Sequence, residues 1–139
     1  MTMTSSICSS AASDAGLNAD RLGALVTVAR QAADAGGAEL MRHYGRLSSI
    51  ESKGRIGDLV TNADVAAERV VLEVLGRETP DIAVLAEESG AAGEQDSLRW
   101  CVDPLDGTTN FTHGYPFFAT SIGLTFRQRP ILGAIAVPF

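Results

Sequence analysis

One long apolar repeat constrains the fold of this 139-residue chain more than any other feature. From Leu22 to Tyr44, apolar side chains recur at steps of three and four residues, the period of an amphipathic helix. Asn18 and Asp20 are both suitable N-cap residues, and the pattern predicts a helix that runs to about Gly45, weakened at Gly36-Gly37. The chain therefore contains a long helix with one buried face.

The remaining apolar segments predict a second helix followed by strands. A second helical pattern begins after Thr61 and ends by Thr79-Pro80, because proline cannot continue a helix. Four apolar runs typical of strands follow, at 82–85, 98–102, 117–126 and 131–137. The last two, joined by residues 127–130, suggest an antiparallel hairpin. We expect one domain over residues 18–139, and a disordered tail over residues 1–17, where Ser, Thr and Ala predominate.

The bulk composition excludes several function classes. A net charge of −6 and a pI near 4.8 oppose binding to nucleic acid and to anionic membranes. We find no apolar run long enough for a signal peptide or a membrane span. Cys8 and Cys101 are far apart and lack metal-ligand spacing, which favours a reducing compartment. The sequence predicts a cytoplasmic protein with no nucleic-acid or membrane partner.

The segment from Asp103 to Asn110 carries the strongest chemical signal. Asp103 and Asp106 stand three positions apart directly after an apolar run, and Pro104 and Gly107 predict a tight turn. Two close carboxylates repel each other unless a cation or a proton lies between them, and their oxygens suit magnesium, calcium or manganese. Residues 107 and 108 could open a short helix whose free N–H groups hold a phosphate. The alternative is that Asp-Pro and Asp-Gly are ordinary surface turns.

Two further acidic positions could join this cluster. Glu87-Glu88 follows the apolar run at 82–85, although a glutamate pair alone is usually a solvated loop. Thr61 and Asp64 have the spacing of a helix capping box, which needs no function. Each feature by itself has a structural explanation.

Taken in order, three segments resemble the inositol monophosphatase family. They are Lys53 with Asp58 to Asp64, then Glu87-Glu88-Ser89, then Trp100 through Phe111, and the similarity extends from about Leu22 to the end. The resemblance implies an α+β fold, with paired helices on a mainly antiparallel sheet. That arrangement would be the amino-terminal half of the layered sandwich shared with fructose-1,6-bisphosphatase. The implied activity is magnesium-dependent hydrolysis of a small phosphate monoester, first of all myo-inositol 1-phosphate.

The same resemblance assigns roles to individual residues. It implies two or three Mg²⁺ ions per complete site, with Asp103 bridging two of them, and a water that Asp64 and Thr108 orient. The implied metal ligands are Glu87, Asp103, the carbonyl of Leu105, and Asp106. The implied substrate-binding residues are Glu87, Leu105, Asp106, Gly107 and Thr108.

The family pattern continues with a Trp-Asp motif that is not found in these 139 residues. We therefore expect a domain truncated at its carboxyl end, and a homodimer when the protein is full length. One alternative is a catalytically incomplete fragment that binds metal or phosphate. Another is a family member that acts on histidinol phosphate, fructose 1,6-bisphosphate or phosphoadenosine phosphate.

Overall fold

The computed structural model describes residues 2–46, 50–52, 59–88, 90–91 and 97–139. The helices are α1 (Ser9–Asp14), α2 (Ala19–His43), α3 (Asn62–Glu78) and α4 (Thr108–Thr112). The strands are β1 (Thr2–Ile7), β2 (Ile50–Ser52), β3 (Leu59–Thr61), β4 (Ala83–Ala86), β5 (Gly90–Ala91), β6 (Leu98–Asp106), β7 (Ala119–Phe126) and β8 (Arg129–Val137).

Six strands form one sheet in the order β1-β8-β7-β6-β4-β5, and β2 pairs with β3. In the larger sheet β4 and β6 run parallel, and the other neighbouring strands are antiparallel. The helices α2 and α3 pack together and against the sheet, α2 on β7 and β8 and α3 on β6. This arrangement confirms the predicted α+β class. No helix in the described ranges is long and apolar enough to cross a membrane.

Helix α2 agrees with the predicted periodicity. The side chain of Asn18 accepts a hydrogen bond of 2.8 Å from the backbone N–H of Arg21, as an N-cap residue does. The helix continues through Gly36-Gly37 without a break. A Cβ atom at Gly36 would lie 2.7 Å from Cγ2 of Thr120 and 2.9 Å from Cγ2 of Val71. This glycine lets α2 approach both α3 and β7 closely, so it serves packing.

The amino-terminal segment differs from the expected disordered tail. Residues 2–7 form β1, an antiparallel strand that pairs with β8 from Thr2 opposite Val137 to Ile7 opposite Leu132. In α1, which follows, Ala11 and Ala12 are buried in the main core. A strand edge supplies backbone partners to any extended segment, whatever its side chains, and alanine is small enough to enter a packed core. The prediction of a disordered tail, which rested on composition, therefore missed β1 and α1.

The predicted hairpin is present as β7 and β8. Its turn consists of Arg127 and Gln128, whose φ angles are 50° and 61°. Two central residues with positive φ are typical of the tight turns that suit the right-handed twist of paired strands. Arg129 and Pro130, which we expected in the turn, belong instead to β8.

Candidate metal and phosphate site

The parallel pairing of β4 and β6 brings two of the predicted site residues together. Ala86 lies opposite Val102, and the backbone N–H of Glu87 donates to the carbonyl of Val102 at 3.1 Å. Because parallel strands end at the same edge of a sheet, the next residues, Glu87 and Asp103, lie side by side. The pairing of β4 with β6 therefore brings together two carboxylates that are 16 positions apart in the sequence.

The carboxyl group of Asp103 has an unfavourable environment. Burial raises the pKa of Asp103 from 3.8 to about 7, assisted by the charge of Glu87, a hydrogen bond with Glu87 and the charge of Asp106. Its Oδ1 atom is buried and has no hydrogen-bond partner among the described residues. A buried acceptor of this kind is costly unless a cation or a donor satisfies it. The position of Asp103 therefore suits a bound metal ion.

The predicted tight turn after Asp103 is wrong. Strand β6 continues through Asp106, and its register against β7 changes from Asp103 opposite Ser121 to Asp106 opposite Ala119. Three steps on β6 match two on β7, so β6 contains a bulge of one extra residue. Proline has no N–H to donate to a neighbouring strand, and a bulge accommodates it at position 104. The bulge leaves Asp106 exposed.

These carboxylates do not form a closed cage. Within the described ranges, no three His, Cys, Asp or Glu side chains lie close enough together to hold an ion by themselves. Glu87 and Asp106 both influence the titration of Asp103, but each side chain is exposed. An ion here would need further oxygen ligands from the backbone, from water or from a phosphate.

Asp64 has a different environment, in which the protein satisfies both carboxylate oxygens. Its Oδ2 accepts from the Thr61 N–H at 2.8 Å and from the Thr61 hydroxyl at 2.6 Å, and the Thr61 hydroxyl accepts from the N–H of Asp64. This is the capping box that the spacing suggested. Oδ1 accepts from the hydroxyl of Thr108 at 3.2 Å, so Asp64 also connects α3 with the segment from Trp100 through Phe111.

The hydroxyl of Thr108 also lies 3.0 Å from the carbonyl oxygen of Leu105. A hydroxyl has one proton, so Thr108 shares it between Asp64 and Leu105 and keeps lone pairs for a further donor such as water. The side chain of Leu105 is buried in a small second core with Phe111 and Phe118. That packing holds the backbone between β6 and α4 in place.

Gly107 shapes the beginning of α4. Its φ angle is 89°, a left-handed conformation, and a Cβ atom would lie 3.0 Å from the carbonyl oxygen of Phe117. Only glycine adopts this conformation at low cost in such limited space. The short helix predicted at Gly107 and Thr108 is confirmed, although its binding of phosphate stays a prediction.

Two polar residues that the sequence analysis did not single out support the site. Glu68 on α3 is buried and accepts a hydrogen bond of 2.9 Å from the backbone N–H of Glu88. Thr120 on β7 is buried and donates to the carbonyl of Pro104 at 2.9 Å, next to the bulge. The spacing of Glu68, four residues after Asp64, was the one signal that could have indicated it.

Lys53, Asp58 and Ser89 lie outside the described residues. Trp100 is fully buried and donates through Nε1 to the hydroxyl of Thr79 at 2.9 Å, which fits a core residue. Nδ1 of His113 lies 2.7 Å from the carbonyl of Thr109, a contact within the fold.

Comparison with known proteins decides the family. Residues 22–139 match the inositol monophosphatase family. The chain belongs to this family. Family membership covers α2 through β8, whereas β1 and α1 lie before the matched residues.

The most informative relatives share sequence and fold with this chain. It is 49% identical over 113 residues to the inositol-1-monophosphatase of Synechocystis, which covers 81% of this chain and 39% of that protein. It is 42% identical over 114 residues to the fructose-1,6-bisphosphatase/inositol-1-monophosphatase of Aquifex aeolicus, with coverages of 81% and 43%. The crystal structure of the extragenic suppressor protein suhB from Bartonella henselae superimposes with a TM-score of 0.75 at 41% identity, over 84% of this chain and 44% of that one. The chain thus spans less than half the length of each of these three relatives.

Proposed function

We propose that this chain carries the metal- and phosphate-binding part of a magnesium-dependent phosphomonoesterase site. The observation that carries the proposal is the buried, unpartnered Oδ1 of Asp103 beside Glu87, within the described part of the chain. A cation between these groups would relieve both the repulsion and the unsatisfied acceptor. The resulting activity is hydrolysis of a small phosphate monoester to an alcohol and inorganic phosphate.

The ligands proposed for magnesium are all oxygens. They are the carboxylates of Glu87, Asp103 and Asp106 and the carbonyl of Leu105, a donor set that suits a hard cation. Bound magnesium supplies positive charge that offsets the charge of the phosphate and makes a nearby water more acidic. The N–H groups at Gly107 and Thr108 bind the phosphate oxygens.

Asp64 and Thr108 orient the attacking water in this proposal. The Thr108 hydroxyl donates toward Asp64, so its oxygen can accept a proton from water while its own proton moves to Oδ1 of Asp64. The water oxygen forms a bond to phosphorus as the ester P–O bond breaks. The leaving alkoxide takes a proton from solvent water and departs as the alcohol, and Asp64 later returns its proton to solvent. Because Asp64 is held by two donors from Thr61, it can take this proton without moving.

We assign myo-inositol 1-phosphate as the first substrate to test. The name of the Synechocystis relative at 49% identity supports this choice. Fructose 1,6-bisphosphate is the strongest alternative, because the Aquifex relative carries both activities in its name. Histidinol phosphate and phosphoadenosine phosphate complete the panel. A cytoplasmic location and a full-length homodimer are part of the same proposal.

A second candidate function is metal or phosphate binding without turnover. One observation favours it: no three acidic, His or Cys side chains converge in the described ranges. An ion held by the partly buried Asp103 and the exposed Glu87 and Asp106 would bind weakly and lack ligands for catalysis.

Phosphate release from myo-inositol 1-phosphate, measured with and without magnesium, tests these alternatives. The parent chain is compared with Asp103→Asn and with Asp34→Asn, which changes an exposed acid on α2 and serves as the matched control. Magnesium-dependent release that Asp103→Asn alone abolishes would support the phosphatase. Metal binding without release would support the second candidate. A folded chain that neither binds metal nor releases phosphate would contradict both.

A further inference from the structure

Glu68 is a buried acid that the proposed chemistry does not use. It lies on α3 and is 6% exposed, although a carboxylate is among the groups least often buried. Burial of such a group is costly unless donors satisfy it. Its Oε2 accepts the backbone N–H of Glu88 at 2.9 Å, a contact that joins positions 20 residues apart. This hydrogen bond ties α3 to the segment after β4.

The contact acts on the residue that precedes Glu88. The N–H of Glu87 donates to the carbonyl of Val102 on β6, and the next N–H, that of Glu88, donates to Glu68. The Cα atom of Glu87 therefore lies between two peptide groups that are each held by a different element. Fixing both peptides restricts φ and ψ of Glu87 and so the direction in which its side chain leaves the backbone.

The face of α3 that carries Glu68 also carries Asp64, which contacts Thr108. Asp64 and Glu68 are four residues apart and lie on one face of the helix. Asp64 contacts Thr61 and Thr108, while Glu68 contacts the turn at Glu88. One rigid helix thus sets the position of Thr108 relative to Glu87.

We infer that Glu68 is a positioning residue for Glu87: its carboxylate accepts the Glu88 N–H and thereby aims the Glu87 side chain toward Asp103. The inference rests on the proposed metal site for its functional meaning. The hydrogen bond itself does not depend on metal.

Three variants of the whole 139-residue chain test the inference. Glu68→Gln keeps an oxygen acceptor of the same reach, and Glu68→Leu removes the acceptor at similar size. Glu73→Leu, on an exposed turn of the same helix, is the matched control. The probe is Mn²⁺ alone, titrated by calorimetry, and the second readout is hydrogen exchange of the Glu88 amide, followed by NMR in the metal-free chain.

We expect Glu68→Leu to weaken Mn²⁺ binding by about 10- to 100-fold, the usual cost of losing a group that orients a metal ligand. The Glu88 amide should exchange faster in this variant alone. Glu68→Gln and Glu73→Leu should stay within about threefold of the parent affinity, because Gln keeps the acceptor and Glu73 lies far from the turn.

Unchanged Mn²⁺ affinity in a folded Glu68→Leu would overturn the inference, and so would an equal loss in Glu68→Gln. If Glu68→Leu does not fold, an unprotected Glu88 amide in the parent chain would overturn it as well. If the parent binds no Mn²⁺ but its Glu88 amide is protected in a Glu68-dependent way, the metal site fails while the positioning contact stands.

Discussion

Asp64 and Asp103 are two acids of the same candidate site with opposite environments. Both oxygens of Asp64 accept hydrogen bonds, from Thr61 and from Thr108, and the residue is 2% exposed. Asp103 has a buried Oδ1 with no partner among the described residues, and Glu87 and Asp106 repel its charge. The protein therefore satisfies both oxygens of Asp64, whereas Oδ1 of Asp103 is left without a partner among the described residues.

This difference separates a contribution to folding from a contribution to metal binding. A satisfied buried carboxylate contributes to folding, so its loss should destabilise the chain. An unsatisfied one costs stability, and such costs are typical of sites that bind a ligand. Substitution of Asp64 should therefore mainly lower the free energy of unfolding, whereas substitution of Asp103 should mainly lower the affinity for metal.

The largest expected effect is the loss of metal binding in Asp103→Asn. We expect Mn²⁺ affinity to fall by more than about 100-fold, because even residues that merely orient a metal ligand cost about 10- to 100-fold. Calorimetric titration of the parent, Asp103→Asn and the control Asp34→Asn measures this effect. Affinity within about threefold of the parent would show that Asp103 is not a ligand.

Asp64→Ala should destabilise the fold by about 2 kcal/mol, since it removes the capping box and leaves the buried N–H and hydroxyl donors of Thr61 unpaired. Urea unfolding of the metal-free chain measures the loss, and Asp103→Asn is the comparison. We expect Asp103→Asn to retain or raise the free energy of unfolding. Equal destabilisation by both substitutions would remove the contrast between the two acids.

Gly107→Ala should cost about 1.5 kcal/mol, because alanine is strained at a φ of 89° and its Cβ would crowd the Phe117 carbonyl. Gly23→Ala on α2 is the control, since a Cβ atom there meets nothing within 4 Å. In a helix this control should stabilise by about 0.5–1 kcal/mol. Thermal unfolding compares the two, and similar shifts in the same direction would contradict the assigned role of Gly107.

We also expect a pH dependence of stability, weakened by solvent screening because the Asp103 side chain is only partly buried. The pKa of Asp103 is raised from 3.8 to about 7, so the folded metal-free chain binds more protons than the unfolded chain between these values. Its stability should therefore fall as the pH rises from about 4 to about 7, a window set by that pKa shift. Asp103→Asn should flatten the profile relative to the parent. An identical profile in both proteins would assign the pH dependence to other groups.

Much of the fold could be predicted from local patterns. Helices α2 and α3 and the hairpin of β7 and β8 follow from apolar periodicity, from the caps at Asn18 and Thr61, and from proline. Strand β1 could not be predicted, because its pairing with β8 depends on backbone groups that composition does not reveal. The bulge before Asp106 was likewise hidden, since Asp-Pro and Asp-Gly are also common in turns.

The sequence by itself was enough to predict the family, because motif spacing is a local property of the chain. It also proposed Asp64, Glu87, Asp103 and Asp106 as the acids of the candidate site. Only the tertiary structure decided which acids meet. The parallel alignment of β4 with β6 places Glu87 beside Asp103, and α3 connects Asp64 with Thr108 and Glu68 with Glu88. Burial and the number of available donors then distinguish the two aspartates, and both quantities arise only when distant segments pack together.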